Sequence, residues 1–93
     1  MAAVLIIDDQ ATSRKILSQI VKSIDSGLLV EAFEEAQGAL DWLERSPADL
    51  ILTDYKMSGM DGIEFLRLAR KLPKAKHVPI IMITSHEQTD IRH

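Results

Sequence analysis

Short apolar runs alternate with helix-period stretches along the whole chain, and this alternation restricts the fold more than any other feature. Four runs rich in Ile, Leu and Val are too short for helices, and they lie at 4–7, 28–33, 50–53 and 80–84. Continuous apolar runs of this length are typical of strands that are buried on both faces of a parallel sheet. The sequence therefore predicts four such strands.

Three stretches with helical periodicity lie between these runs. In the first, apolar residues recur at spacings of three, four and seven, at Ile16, Leu17, Ile20, Val21 and Ile24. We expect Thr12 or Ser13 to cap this helix. The second stretch carries apolar residues at 36, 39, 40 and 43 and ends before Pro47. The third runs from Ile63 to Leu72 at spacings of three and ends before Pro73.

The order βαβαβαβ predicts the fold class. Strands and helices that alternate at these lengths specify parallel β-α-β units with right-handed crossovers. We therefore expect an α/β fold with a doubly wound parallel sheet. A chain of 93 residues, without repeats or a Gly/Ser linker, is long enough for one domain and too short for two, so residues 1–93 are expected to form one domain.

Composition excludes several classes of function. The apolar share of 46 % argues against a disordered chain, and the formal net charge of −3 argues against direct binding of nucleic acid. The chain has no cysteine, which excludes disulfide scaffolds, zinc fingers and thiol catalysis. The apolar run near Met1 is short and stops at two acids, so it fits neither a signal peptide nor a membrane span. We expect a cytoplasmic chain without a membrane partner.

Acidic residues stand at the ends of two predicted strands. Asp8 and Asp9 follow the first strand, Asp54 follows the third, and Thr84 ends the fourth. Parallel strands bring their carboxyl ends to one edge of the sheet, where ligands collect, so we expect these carboxylates to lie close together. An all-oxygen cluster is the ligand set that Mg²⁺ prefers. The alternative is that each Asp is a turn residue and that Thr84 is a solvated strand end or a helix cap.

Other candidates for chemistry are weaker. Met57 and Met60 are expected to pack rather than to bind, and Gly62 suits a turn that needs a positive φ. Three histidines lack the spacing of a metal site, namely His77, His86 and His93. Five basic residues without interleaved aromatics indicate a solvated helix face, namely Arg67, Arg70, Lys71, Lys74 and Lys76.

Four fragments in order carry a family resemblance. The apolar runs into Asp8-Asp9 and into Asp54 are followed by Met-Ser-Gly-Met-Asp-Gly at 57–62 and Pro-Ile-Ile-Met-Ile-Thr-Ser at 79–85. With these motifs the whole chain resembles the receiver domain of bacterial two-component response regulators. The resemblance implies a flavodoxin-like receiver fold and a cytoplasmic signalling domain rather than a conventional enzyme. It also implies that a histidine kinase or a phosphotransfer protein is the partner.

The resemblance also implies a role for each matching residue. Asp54 looks like the phosphoryl acceptor, and Asp8 and Asp9 look like the acids that bind Mg²⁺ together with it. Lys56 would offer its backbone carbonyl to the metal. Thr84 resembles the switch hydroxyl that turns toward the phosphoryl group. A bridging Mg²⁺ would supply the positive charge that phosphoryl transfer requires.

The chain departs from the family pattern in two respects. Ser58 stands where a proline is usual, and these 93 residues do not include the family's fifth strand, with its terminal lysine, or its fifth helix. We therefore expect a C-terminally incomplete receiver with no output domain, and it stays open whether such a chain accepts phosphate without the lysine. An uncovered sheet face and an open edge on the fourth strand predict a homodimer or poor solubility.

The start of the first helix, with Arg14, Ile16 and Leu17, is the candidate docking surface for a histidine kinase or a phosphotransfer protein.

Two further classes of function remain as alternatives. A haloacid-dehalogenase-like phosphohydrolase would also use an aspartate after a strand, but its second aspartate should stand where Lys56 stands. A binding module is the other class, either a receiver that is not phosphorylated or a flavodoxin-like nucleotide site. No phosphate-binding Gly-rich loop follows the first predicted strand.

Overall fold

The computed structural model describes residues 2–57 and 59–83 of the chain. It contains four strands, β1 (Ala3–Ile7), β2 (Leu29–Phe33), β3 (Leu50–Asp54) and β4 (Ile80–Ile83). Between them lie the helices α1 (Ala11–Ile24), α2 (Ala36–Arg45) and α3 (Gly62–Ala69), and a 3₁₀ turn at Pro73–Ala75. The predicted order of elements is confirmed. The predicted end of the fourth strand, Thr84, lies outside the described residues.

The strands form one parallel sheet in the order β2-β1-β3-β4. In the central pair, Val4 lies opposite Leu50 and Ile7 lies opposite Thr53. On its other side β3 pairs with β4, and there Asp54 lies opposite Ile83. The predicted α/β class with a doubly wound parallel sheet is therefore confirmed.

Two cores lie on the two faces of this sheet. Because side chains alternate along a strand, Leu5, Ile7 and Ile51 face one side, where α2 and α3 cover them with residues that include Leu43 and Phe65. Val4 and Ile6 face the other side and pack against Val21 of α1. The carboxyl ends of β1 and β3 are therefore fixed between two packed layers.

Burial on both faces, which was predicted for all four strands, holds for β1 but is wrong for β2 and β4. Every residue of β1 is buried, whereas no residue of β2 or β4 is. Both strands lie at the edges of the described sheet, so they have a neighbour on one side only. In β4, Ile81 is 51 % exposed.

Helix α1 differs from the prediction at its start and along its apolar side. It begins at Ala11 with Gln10 as its N-cap residue and has no side-chain cap, so the predicted cap by Thr12 or Ser13 is wrong. Val21 is buried, but three of the five predicted core positions are largely exposed, at Ile16, Ile20 and Ile24. Their spacing of four places them in one row along the helix.

None of the helices in the described ranges is long and apolar enough to cross a membrane.

Helix α3 ends three residues earlier than the sequence predicts, and Arg70 organises the segment that follows. The Arg70 Nη1 atom donates hydrogen bonds to the carbonyl oxygens of Ala75, at 3.0 Å, and Val78, at 2.6 Å. The half-buried guanidinium therefore satisfies backbone acceptors in the approach to β4. The prediction that Arg70 belongs to a solvated basic face is wrong.

Replacing Phe65 with alanine should destabilise the fold strongly. Phe65 is the largest of the fully buried side chains and joins α3 to the sheet. Loss of a buried phenyl ring costs about 3–5 kcal/mol of unfolding free energy, whereas Ile63→Ala on an exposed position of the same helix should cost less than about 1 kcal/mol. Urea denaturation of both variants measures the difference. Equal losses would contradict the core described above.

Candidate functional site

Three carboxylates meet at the carboxyl edge of the sheet. Asp8, Asp9 and Asp54 each offer one oxygen, and these three oxygens all lie within 4.8 Å of one another. Asp8 is 5 % exposed and Asp54 is 3 % exposed, while Asp9 is half-buried. The prediction that these carboxylates lie close together is confirmed. Their individual roles stay a prediction.

The strand register explains why these acids meet. Ile7, the last residue of β1, lies opposite Thr53 of β3. The next residue of each segment is an aspartate, so Asp8 and Asp54 lie side by side at the carboxyl edge of the sheet. Asp9 follows directly, in the turn that leads to α1.

Three hydrogen bonds hold Asp8. Its backbone N–H donates to the carbonyl of Phe33 at 3.1 Å, which continues the sheet for one more residue. Its Oδ1 accepts the Gln10 backbone N–H at 2.9 Å, an interaction that shapes the turn. Its backbone carbonyl accepts a hydrogen bond from Arg14 Nη1 at 2.8 Å. The conformation of Asp8 is therefore restricted at its amide, its side chain and its carbonyl.

The start of α3 packs closely against the end of β3. Gly62 begins α3, and its N–H donates to the Tyr55 carbonyl at 2.7 Å. A Cβ atom at Gly62 would lie 3.0 Å from the Asp54 carbonyl oxygen and 3.1 Å from Tyr55 Cα. The expectation of a positive φ at Gly62 is wrong, because Gly59 is the residue that adopts it, with φ of 84°. Gly62 is instead needed for close approach of the helix to the strand end.

The remaining candidate residues differ in burial and in whether the structure describes them. Lys56 is exposed in the bend after β3, two residues beyond Asp54. Met57 and Met60 pack against the core, as predicted. His77 is exposed. Three predicted positions lie outside the described residues, namely Thr84, His86 and His93.

Sequence reasoning missed the contributions of Arg14 and Asp61 to this region. Arg14 was expected on a docking surface, but its guanidinium contacts the Asp8 backbone. Asp61 caps α3, since its side chain accepts the Glu64 N–H at 2.8 Å. A signal for the second role was present, because Asp-x-x-Glu ahead of an apolar helix has the spacing of a capping box.

The donor set of the cluster fits a hard divalent cation. Carboxylate oxygens are the ligands that Mg²⁺ prefers, whereas zinc sites are built mainly from histidine and cysteine. Two of the three carboxylates are buried beside each other, an arrangement with an electrostatic cost that a bound cation removes. The cluster therefore has the chemistry of a magnesium site.

The open parallel sheet, with acids at the carboxyl ends of the adjacent strands β1 and β3, agrees with the receiver domain that the sequence resembles. The family model described as the response regulator receiver domain matches residues 4–93. The chain belongs to this family, the receiver domains of two-component signalling systems.

Individual relatives support the same assignment. The chemotaxis protein CheY of Pseudomonas aeruginosa is 33 % identical over 94 % of this chain and 69 % of its own length. The cyclic di-GMP phosphodiesterase response regulator RpfG of Xanthomonas campestris is 43 % identical over 87 % of this chain. The alignment covers 21 % of that relative, so this chain spans about a fifth of RpfG and about two thirds of CheY.

Solved structures agree with the fold. The chemotaxis response regulator CheY4 of Vibrio cholerae superposes with a TM-score of 0.81 at 32 % identity, over 97 % of this chain and 76 % of that one. The receiver domain of a sensor histidine kinase from P. aeruginosa, which has a magnesium ion coordinated in its active-site cleft, gives a TM-score of 0.84 at 24 % identity, over 98 % and 73 % of the two chains. The flavodoxin-like receiver fold expected from the sequence is thereby confirmed.

Replacing Gly62 with alanine should destabilise the chain although alanine favours helices. The added methyl group would lie 3.0 Å from the Asp54 carbonyl oxygen and 3.1 Å from Tyr55 Cα, tighter than most Cβ contacts, and these are backbone atoms rather than the ends of flexible side chains. We expect a loss of about 1–3 kcal/mol in unfolding free energy. Denaturation with urea measures it.

Gly27→Ala provides the control for this substitution. Gly27 is exposed, and a Cβ atom there would meet only the Asp25 carboxylate, at 3.3 Å. Its replacement should change the unfolding free energy by less than about 0.5 kcal/mol. A Gly62→Ala variant as stable as the unsubstituted chain would show that α3 does not depend on this close approach.

Proposed function

We propose that this chain is a phospho-acceptor signalling domain. A histidine kinase or a phosphotransfer protein donates a phosphoryl group to Asp54, and the reaction depends on Mg²⁺. The observation that carries this proposal is the meeting of Asp54 with Asp8 and Asp9 within 4.8 Å. Membership of the receiver family supports the same assignment.

The proposed metal ligands are Asp8, Asp9, Asp54 and the backbone carbonyl of Lys56. When bound, Mg²⁺ supplies positive charge that offsets repulsion between the carboxylates and the incoming phosphoryl oxygens. Asp8 presents its carboxylate from the end of β1, where the Gln10 N–H holds one of its oxygens. Asp54 is nearly fully buried, and this limits the access of water to the acceptor.

The reaction joins one Asp54 oxygen to phosphorus. The P–N bond of the donor phosphohistidine breaks, its electron pair stays on the imidazole nitrogen, and an acyl phosphate forms on Asp54. Positioning and neutralisation of charge account for most of the catalysis in such transfers. Thr84 remains the proposed switch hydroxyl.

The alternatives have less support. A phosphohydrolase with an aspartate nucleophile would need an acid where Lys56 stands. A nucleotide-binding module would need a Gly-rich turn after β1, but the residues that follow are Asp8, Asp9 and Gln10. A receiver that only binds partners differs from our proposal in one property, the uptake of phosphate by Asp54.

The proposed surface for the phosphodonor protein is the start of α1. Ile16 is half exposed there, whereas Leu17 packs into the core beside Val21. Arg14 contacts the Asp8 carbonyl. The sequence predicts a docking surface made of Arg14, Ile16 and Leu17. The exposed side chains of Ile16 and Ile20 form a more accessible apolar surface, so we place the contact on these two residues.

We also propose a homodimer through the outer edge of β4. Within the described sheet β4 pairs with β3 on one side, and Ile81 is half exposed. Sedimentation should show a dimer that Ile81→Lys dissociates, because a charge at such an edge opposes pairing with another chain. Ile63→Lys, at an equally exposed position on α3, should leave the dimer intact. A monomeric unsubstituted chain would overturn this proposal.

Phosphate uptake tests the proposed function directly. After incubation with a small-molecule phosphodonor and Mg²⁺, intact mass spectrometry should show the addition of one base-labile phosphoryl group. Asp54→Asn should abolish the addition, because an amide is not a nucleophile that forms an acyl phosphate. Removal of Mg²⁺ with a chelator should abolish it as well.

Asp61→Asn is the matched control for Asp54→Asn. Asp61 is an exposed carboxylate in the loop between β3 and α3, and asparagine preserves the helix cap. This variant should accept phosphate as the unsubstituted chain does. Uptake by Asp54→Asn, or no uptake by the unsubstituted chain with Mg²⁺ present, would overturn the proposal.

A further inference from the structure

Arg14 lies in the first turn of α1, directly after the segment that carries Asp8 and Asp9. Its side chain is half-buried, and Nη1 donates a hydrogen bond of 2.8 Å to the backbone carbonyl of Asp8. The guanidinium therefore contacts the turn that presents two of the three acids.

The carbonyl of Asp8 belongs to the peptide group that joins Asp8 to Asp9. Because a peptide group is planar, a hydrogen bond that fixes this carbonyl also fixes the direction in which the chain continues to Asp9. Two other hydrogen bonds already restrain the amide and the side chain of Asp8. The contact with Arg14 therefore restrains the one part of the turn that sets the two acids relative to each other.

We propose that Arg14 is a positioning residue for the divalent-metal site. It holds the Asp8–Asp9 peptide so that both carboxylates point into the cluster with Asp54, and it acts through these residues rather than on the metal. This inference rests on the proposed function, because it assigns Arg14 to the same site. Residues that orient metal ligands in this way affect metal affinity by about 10- to 100-fold.

The positioning role and a purely electrostatic role predict opposite results. Removing a positive charge near three carboxylates strengthens their attraction for Mg²⁺. Removing a restraint from two of the ligands weakens binding, because metal binding must then order them. The sign of the change in Mg²⁺ affinity therefore separates the two roles.

The experiment is a calorimetric titration of MgCl₂ into the folded chain without a phosphodonor. For Arg14→Gln we expect a Kd about tenfold higher than that of the unsubstituted chain. Arg14→Lys keeps a donor for the Asp8 carbonyl and should recover part of this loss. Lys15→Gln removes the same charge from an exposed neighbouring position and should bind Mg²⁺ at least as tightly as the unsubstituted chain.

Two outcomes would overturn proposals, and they are distinguishable. If Arg14→Gln binds Mg²⁺ as tightly as Lys15→Gln does, the positioning role is wrong and the proposed function stands. If the unsubstituted chain binds no Mg²⁺, the proposed function fails and the inference with it. Thermal unfolding without Mg²⁺ checks that each variant is folded. If Arg14→Gln is not folded, Arg14→Lys carries the test. It should then bind Mg²⁺ more weakly than the unsubstituted chain, and an affinity equal to that of Lys15→Gln would overturn the positioning role.

Discussion

The parallel pairing of β1 with β3 is the constraint on which the rest of the structure depends. It buries the apolar residues of β1 between two layers of helices and makes this strand the centre of both cores. The same register places Asp8 and Asp54 side by side at the carboxyl edge of the sheet. One set of backbone hydrogen bonds thus supports the hydrophobic cores and assembles the candidate site.

The acid cluster places charged groups in the interior of the fold. Asp8 and Asp54 are almost completely buried, and burial of carboxylates costs free energy unless donors or cations compensate them. The protein supplies part of this compensation through the Gln10 N–H, which holds the side chain of Asp8. In the proposed function, a divalent cation would offset the repulsion among these neighbouring carboxylates.

The sequence predicts the elements, their order and the three acids, because hydrophobic period and strand ends are local properties. It does not predict interactions that depend on tertiary position. The start of α1 is shaped by the side chain of Asp8 rather than by Thr12 or Ser13, and the need for glycine at 62 arises from atoms of Asp54 and Tyr55. Nothing in the local sequence distinguishes Arg70 from the basic residues around it. The path of the chain after α3 brings three backbone carbonyls within hydrogen-bonding distance of its guanidinium.

The separation of the acids along the chain has a consequence for biosynthesis. Asp8 leaves the ribosome more than forty residues before Asp54, and a chain grows by about 5–20 residues per second. During that interval β1 has no β3 to pair with, and β2 is the other strand of the described sheet that can pair with it. The divalent ion of the proposed function could contact all three acids only after the third strand has emerged, so it would stabilise the finished sheet rather than guide its assembly.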